Sequence, residues 1–448
     1  MDLLKYIKYN NQSFIISLII LFSLFFWEFD LFNINFRYIF LALIFLNFII
    51  FDKADIKTYL YCSTIPILII FHSYMSLGPY AISQRFIFSL IFAYLLLLII
   101  VKNYRIIIEE SIKLLKLYTF LINILGVLTI ILAKEKLIFD EIAQFVEIPE
   151  NYLCTFFNQN NFSLFRKVFF EPSHFAFINN SVVIYLFLNF KGIGKEKLYY
   201  SINFITYLFF SLVFFISATT YFGIIFSLIF IMIFMWKKIH KNMKVRMFIL
   251  ILICSFLVIS NKPCANRILQ LSKLDHIYNS IDFDQNQKEI EDINPIKNFL
   301  VSNINDINEI RNSNNVNFST AVQGHSFVVA LFSLIEKPFG YGFQNYQYAF
   351  DLHNQKFDFN ILKDTFVIYN YNDGASNLNK ALVEFGLLNF IFLILFIIGL
   401  LKNKNIEINL FLATAIITQL IRGAGYFNGN FLIIYFLFIF FNFEKNTK

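Results

Sequence analysis

The chain has 448 residues, of which 58% are hydrophobic and 15% charged, with a net charge of +7 and 62 phenylalanines. No soluble fold of this length has an interior large enough to hide so much apolar surface, so a bilayer is the expected solvent. The positive charge does not point to nucleic acid, because Lys and Arg fall in short clusters between apolar runs rather than along a basic polar face.

Apolar runs recur at 13–27, 38–51, 59–77, 86–101, 117–133, 175–190, 198–216, 219–236, 247–260, 381–401, 408–421 and 428–443. The first lacks a small-residue cleavage site and reads as a retained span. Those at 38–51, 247–260 and 408–421 are short for a crossing and count as spans because of the charges between them. Lys5 and Lys8 precede the first run. Lys53 and Lys57 follow the second, and Lys102, Arg105, Lys113 and Lys116 follow the fourth. Lys191, Lys195 and Lys197, then Lys237, Lys238, Lys241, Lys244 and Arg246, then Lys402 and Lys404, then Lys445 and Lys448 continue the alternation. The positive-inside rule then predicts an all-α integral membrane protein of about twelve transmembrane helices with both termini cytoplasmic. Residues 1–260 would hold the first nine helices and an outer loop near 134–174. Residues 261–380 would form one large outer loop, and 381–448 the remaining helices. Within that loop, 327–335 reads as a short amphipathic or re-entrant helix ended by Pro338 and Gly340.

The cysteines are Cys62, Cys154, Cys254 and Cys264, with no metal-ligand spacing. Cys154 and Cys264 both fall outside, where a disulfide is chemically allowed; free or buried thiols are the alternative. There is no Walker loop, GxGxxG or zinc-spaced His/Cys set, so no cofactor and no metal are expected.

The residues able to do chemistry cluster on the outer side. Arg166 leads into Glu171-Pro172-Ser173-His174, where Pro172 suits the first turn of a helix. That N-terminus would face outward and favour an anion, with Arg166 and His174 beside it. The plain alternative is that Glu171 or Ser173 caps the helix. Arg422-Gly423-Ala424-Gly425 sets an Arg, the better side chain for gripping a diphosphate, among glycines that allow close backbone approach. It reads equally as a tight turn with a snorkelling Arg. Asp373-Gly374-Ala375-Ser376-Asn377 offers a base in Asp373 and sugar-bonding groups in Ser376 and Asn377; a turn followed by a Ser N-cap is the alternative. Glu384, just inside a span, is costly unless paired. Arg85 follows Gly78-Pro79 at an outer edge, and His325 precedes the predicted loop helix.

In this order the segments resemble the Wzy-type O-antigen (oligosaccharide repeat-unit) polymerases. The resemblance rests on Arg166 with Glu171–Ala176, Ser217-Ala218-Thr219-Thr220, Glu336–Gly342, Asp373–Ser376 with Glu384–Leu388, and Arg422–Phe427, and it spans residues 140–445. It implies a GT-C-like membrane glycosyltransferase with one large periplasmic loop in the bacterial inner membrane. Such an enzyme joins undecaprenyl-diphosphate-linked oligosaccharides without a metal, beside a flippase and a chain-length regulator. His174, Asp373 and Glu171 would then be the catalytic candidates. Arg166, Arg422, Arg85, Ser173, Ser376, Asn377 and His325 would hold diphosphate or sugar. Two departures stand out. The His that sister O-antigen ligases carry ahead of a Gly is replaced by Ala375. An Arg-x10-Gly pattern is also missing, since Phe177 follows Arg166 at that spacing and Val322 follows Arg311. A ligase acting on lipid A-core and a polysaccharide flippase or other transporter are the competing expectations.

Overall fold

The computed structural model describes residues 20–26, 30–31, 34–35, 42, 56–78, 82–134, 168, 172–190, 198–215, 217–260, 318–356, 373–402 and 405–443. Among them the chain is helical almost throughout. The extended pairing present is a two-residue antiparallel ladder, β1 (Asp30–Leu31) on β2 (Ile34–Asn35), with Asp30 opposite Asn35. The helices are α1 (Ile56–Leu77), α2 (Gln84–Lys134), α3 (Pro172–Asn189), α4 (Leu198–Phe209), α5 (Ala218–Met235) and α6 (Lys241–Ser260). After the undescribed part of the long loop come α7 (Phe318–Glu336), α8 (Tyr346–Lys356), α9 (Asn377–Phe385), α10 (Asn389–Lys402), α11 (Ile406–Ile421) and α12 (Phe431–Phe443).

Five stretches are long and apolar enough to cross a membrane: Thr58–Leu77, Gln84–Ile131, Ala218–Met235, Lys241–Ser260 and Asn377–Lys402. Leu198–Phe214, Ser326–Glu336, Ile406–Ile421 and Asn428–Phe443 are apolar but shorter. An apolar flank lies open on α1 at Leu60, Leu68, Phe71 and Met75, which is compatible with a membrane protein.

Four expectations need correction. The runs 86–101 and 117–133 belong to one helix, α2, with no loop between them. The charged stretch 102–116 stays helical because its Lys, Arg, Glu and Leu are all good helix formers. Its two halves still pack on different partners. Leu97 and Leu98 meet Cys62 of α1 and Phe436 of α12, whereas Asn123 donates to Asn203 of α4 at 2.8 Å. The loop helix expected at 327–335 begins already at Phe318. The loop boundary at residue 380 is displaced, since Lys380 lies inside α9. Finally, the span expected at 381–401 bends at a 3₁₀ turn, Gly386–Leu388, between α9 and α10. The run 38–51 and most of 13–27 lie outside the described residues, as do Cys154 and Cys264. Cys62 and Cys254 are free, buried thiols.

Local sequence explains the helix starts. Pro172 opens α3, where its missing N–H costs nothing. Ser217 and Thr220 form a reciprocal capping box on α5. The Asn405 side chain accepts from the N–H groups of Glu407 and Ile408 at the head of α11.

α3 is the centre of the bundle. Phe175 to Ile184 are all buried, against α5 and α11. Its Asn180 Nδ2 donates to the Thr219 carbonyl and to Thr418 Oγ1, both at 3.3 Å. Gly223 makes this approach feasible, because a Cβ there would collide with the Asn180 amide. Small and amide side chains of this kind hold helices together where lipid removes the hydrophobic drive.

The two ends of the bundle differ in chemistry. At one end Arg246 Nη1 caps the Leu188 carbonyl at 2.5 Å, Lys238 bonds the Leu401 carbonyl, and Lys402 lies 3.9 Å from the Phe443 ring. These cations sit where α3, α10 and α12 finish, which is where a helix dipole favours them. The residues of chemical interest lie at the opposite end, where α3, α9 and α12 begin and α11 finishes.

Candidate functional site

The site is built on two interlocked turns. The first is Lys337–Asn345, between α7 and α8. Its Tyr341 and Gly342 N–H groups donate to the carbonyls of Val383 and Glu384 at 2.9 and 2.8 Å, and Leu387 N–H returns a bond to the Pro338 carbonyl at 2.7 Å. The Glu336–Gly342 and Glu384–Leu388 segments singled out in the sequence therefore pair backbone to backbone. Glycine is needed on both sides: Gly340 (φ +83°) and Gly386 (φ +55°) place their α-carbons against the opposing main chain, where a Cβ would overlap it. α1 braces the outside of this turn. His72 Nε2 lies 2.6 Å from the Phe339 carbonyl, Ser73 Oγ accepts from Phe343 N–H at 3.0 Å, and Lys337 donates to the Ser76 carbonyl at 2.8 Å.

The second turn is Asp373–Ser376. Asp373 Oδ1 accepts from Ala375 N–H at 3.1 Å. Ala375 is held at φ +57°, a region costly for a residue with a Cβ. Its carbonyl explains how that conformation persists: it accepts from Gly423 N–H at 3.3 Å and from Arg422 Nη1 at 3.4 Å. Ser376 then caps α9, its Oγ accepting from Asn379 N–H at 3.0 Å. The glycine loop after α11 and the turn before α9 are thus one unit.

Around Asp373 the charges converge. Lys380 of α9, Arg422 at the end of α11 and His174 on the first turn of α3 all act on its carboxyl. Burial nevertheless dominates and holds that carboxyl above the ordinary carboxylate range; the Ala375 N–H, Lys380, Arg422 and His174 pull it back only part of the way. Behind it, Lys380 Nζ lies 3.2 Å from Glu384 Oε1, with 3% and 0% of the two side chains exposed. The Lys380 ammonium also sits 5.8 Å from the ring of Tyr346 and 5.3 Å from that of Tyr426. Burial, and then the neighbouring Glu384 carboxylate, push the Tyr426 phenol well up. Asn377, fully buried at the head of α9, has neither side-chain amide atom satisfied, and a Cβ at Gly423 would meet it at 2.7 Å. No family model, curated protein or solved structure matches the chain.

Of the sequence candidates, Ser173, His174, Asp373, Ser376, Asn377 and Arg422 come together at this end. Ser376 has a structural duty there as a cap. Arg85 stands exposed on the first turn of α2, outside the buried cluster, although the adjacent Phe86 packs on Phe343 of the first turn. His325 falls in α7, with its side chain outside the described residues. Arg166 and Glu171 also lie outside them. Sequence reasoning passed over Lys380, Tyr346 and Tyr426. The i,i+4 spacing of Lys380 and Glu384 was the available signal for the first, and Tyr426 lies inside the glycine loop already singled out; nothing in the sequence marked Tyr346. Among the described residues no three His, Cys, Asp or Glu side chains gather as a metal site.

Chemically, the arrangement offers an acid held above the ordinary carboxylate range, the cations Lys380 and Arg422, the imidazole of His174, an unsatisfied amide and the N-termini of α3 and α9. That set can bind an anionic group, position a hydroxyl and accept its proton.

Proposed function

We propose that this protein is a membrane-embedded glycosyltransferase that polymerises lipid-diphosphate-linked oligosaccharide repeat units, as O-antigen polymerases do. The observation that carries the reading is the convergence of Ser173-His174, Asp373–Asn377 and Arg422-Gly423, distant in sequence, at one end of the bundle beside Lys380.

In this reading a hydroxyl of the acceptor unit attacks the anomeric carbon of the donor chain. The bond from that carbon to the lipid diphosphate breaks, and the diphosphate leaves with the electron pair. Arg422 and the N-terminus of α3 stabilise the charge that builds on it; a preorganised donor of this kind is worth about 2.7–4 kcal/mol. Asp373, or His174 beside it, takes the hydroxyl proton. The donor is already activated, so the reading requires no nucleotide sugar and no metal.

The end rich in Arg246, Lys238 and Lys402 would face the cytoplasm and the site the periplasm, by the positive-inside rule. About twelve crossings in a bacterial inner membrane, both termini cytoplasmic, and association with a flippase and a chain-length regulator complete the proposal. The buried mid-helix amides Asn179 and Asn180 favour a second reading, a transporter with polar groups along its path.

The test is gel analysis of surface polysaccharide from a deletion strain. Core carrying a single repeat unit supports the polymerase. Loss of all capped core with accumulation of long lipid-linked chains indicates a ligase instead, and repeat units confined to the inner leaflet indicate a transporter.

A further inference from the structure

We propose that the turn between α5 and α6 is a binding site for the headgroup of an anionic phospholipid. The site lies at the opposite end of the bundle from Asp373 and stands whether or not the protein joins sugars. Lys237, Lys238, Lys241, Lys244 and Arg246 follow Trp236 directly, and the sequence from 198 to 274 contains no Asp or Glu. Among the described residues none of these five cations forms an ion pair. Glu407, exposed in the first turn of α11, pairs with none of them. The fold uses two of the five. Lys238 bonds the Leu401 carbonyl at the end of α10, and Arg246 Nη1 the Leu188 carbonyl at the end of α3. Lys237 and Lys241 are exposed, and the Lys244 ammonium lies 4.2 Å from the Trp236 ring. Lys241 and Lys244 also stand in the first turn of α6, where a helix disfavours cations, so they do not serve to stabilise that helix.

The flanking helices set the depth of this turn. Ala218–Met235 and Lys241–Ser260 are each long and apolar enough to cross a membrane. The residues between them, Trp236 to His240, therefore lie where hydrocarbon gives way to headgroups. Trp suits that level, with an apolar body and one polar N–H. Beyond the turn, Ile233 of α5 and Phe248, Leu252 and Phe256 of α6 are exposed. Cations at the edge of an open apolar flank match a ligand with an anionic head and acyl tails. A soluble anion would use only the first half of that match. Each cation near an anionic lipid surface strengthens binding by about fivefold, so Lys237, Lys241 and Lys244 together make a measurable preference.

Trp27 and Trp236 are the two tryptophans of the chain, so Trp27→Phe leaves Trp236 as the reporter. The purified full chain is reconstituted in bilayers that mix phosphatidylcholine and phosphatidylglycerol. One lipid or the other carries brominated acyl chains, which quench a neighbouring indole. Phosphatidylglycerol should quench about fivefold more effectively per molecule than phosphatidylcholine. The triple variant K237Q, K241Q and K244Q should bring the two lipids close to equality. K102Q, R105Q and K116Q together remove the same charge from α2 and should leave the preference in place. Equal quenching by both lipids in the parent protein overturns the proposal. So does a preference lost equally in the α2 variant, which would be the field of net charge alone. Absence of quenching by either lipid would put Trp236 outside the bilayer and overturn it as well. If the triple variant does not fold, K237Q with K241Q decides, since both side chains are exposed. If Trp27→Phe does not fold, native mass spectrometry of the wild type and that pair counts retained phosphatidylglycerol, and equal counts refute the site. A protein that shows the lipid preference but extends no lipid-linked unit keeps the site and loses the polymerase.

Discussion

Gly342 N–H donates to the Glu384 carbonyl at 2.8 Å, so the turn after α7 is fastened to the residue whose side chain anchors Lys380. The backbone of one motif thereby fixes the electrostatics of another. Gly340 and Gly386 make the approach feasible. Gly340→Ala and Gly386→Ala should each destabilise the protein by more than about 1 kcal/mol, because a positive φ and a main-chain overlap act together. Gly78 is the control: it has φ +62° but open space around its Cβ, so Gly78→Ala meets backbone strain alone. Thermal unfolding in detergent measures all three. Equal melting of Gly340→Ala and Gly78→Ala would disprove the close docking.

Arg422 should matter through its geometry as well as its charge. Its Nη1 touches the Ala375 carbonyl, and in the proposed reading the planar guanidinium also grips an anion. Arg422→Ala should lower polymerisation roughly 10²–10³-fold, the loss typical of one transition-state donor. Arg422→Lys should recover only part of it, since an ammonium lacks the planar fork. The polysaccharide ladder of complemented deletion cells reports both. A full ladder from Arg422→Ala at normal protein level removes Arg422 from the site.

Much of this was legible in the sequence, for identifiable reasons. Pro172 and Ser376 announced helix starts because their preferences are local. Arg422-Gly423 and Asp373-Gly374 announced tight turns because glycine there answers a backbone demand. The continuity of α2 was hidden: a cluster of cations reads as a loop between spans, yet Lys and Arg are also good helix formers, and hydropathy cannot separate the two. The partner of Glu384 was obscured by the same habit, which assigned Lys380 to a loop. Tyr346 was out of reach for a different reason. It belongs to a weakly apolar helix whose relation to α9 is tertiary, and no periodicity records it.

Asp373 yields a pH prediction for stability. Its folded pKa is raised, with burial the main cause. An acid of this kind contributes fully below its unfolded pKa, about 3.9, and that contribution is lost as pH rises through the folded value. Asp373→Asn does not titrate. The variant should therefore gain melting temperature relative to wild type as pH rises from about 4 to about 8, while losing catalytic activity. Melting curves of both proteins across that range measure the gap. A gap that widens toward acid would mean that Lys380, Arg422 and His174 together outweigh burial and that the carboxylate is the favoured form.

The Lys380–Glu384 pair should behave as a coupled unit. Removing one partner strands a charge in a site from which water is excluded, at a cost of about 3–5 kcal/mol. Lys380→Met alone should therefore be strongly destabilising. The double replacement Lys380→Met with Glu384→Leu removes both charges of the pair, and the two apolar side chains fill similar volume beside Tyr346 and Tyr426. It should recover most of the loss while leaving Asp373 without one of the cations that act on it, so stability returns and activity does not. A double-mutant cycle on unfolding free energy, run beside the polymerisation assay, separates the two effects. Additive losses in the cycle would show that the two charges do not depend on each other. Activity that returns with stability would show that the pair serves only to hold α9 in place.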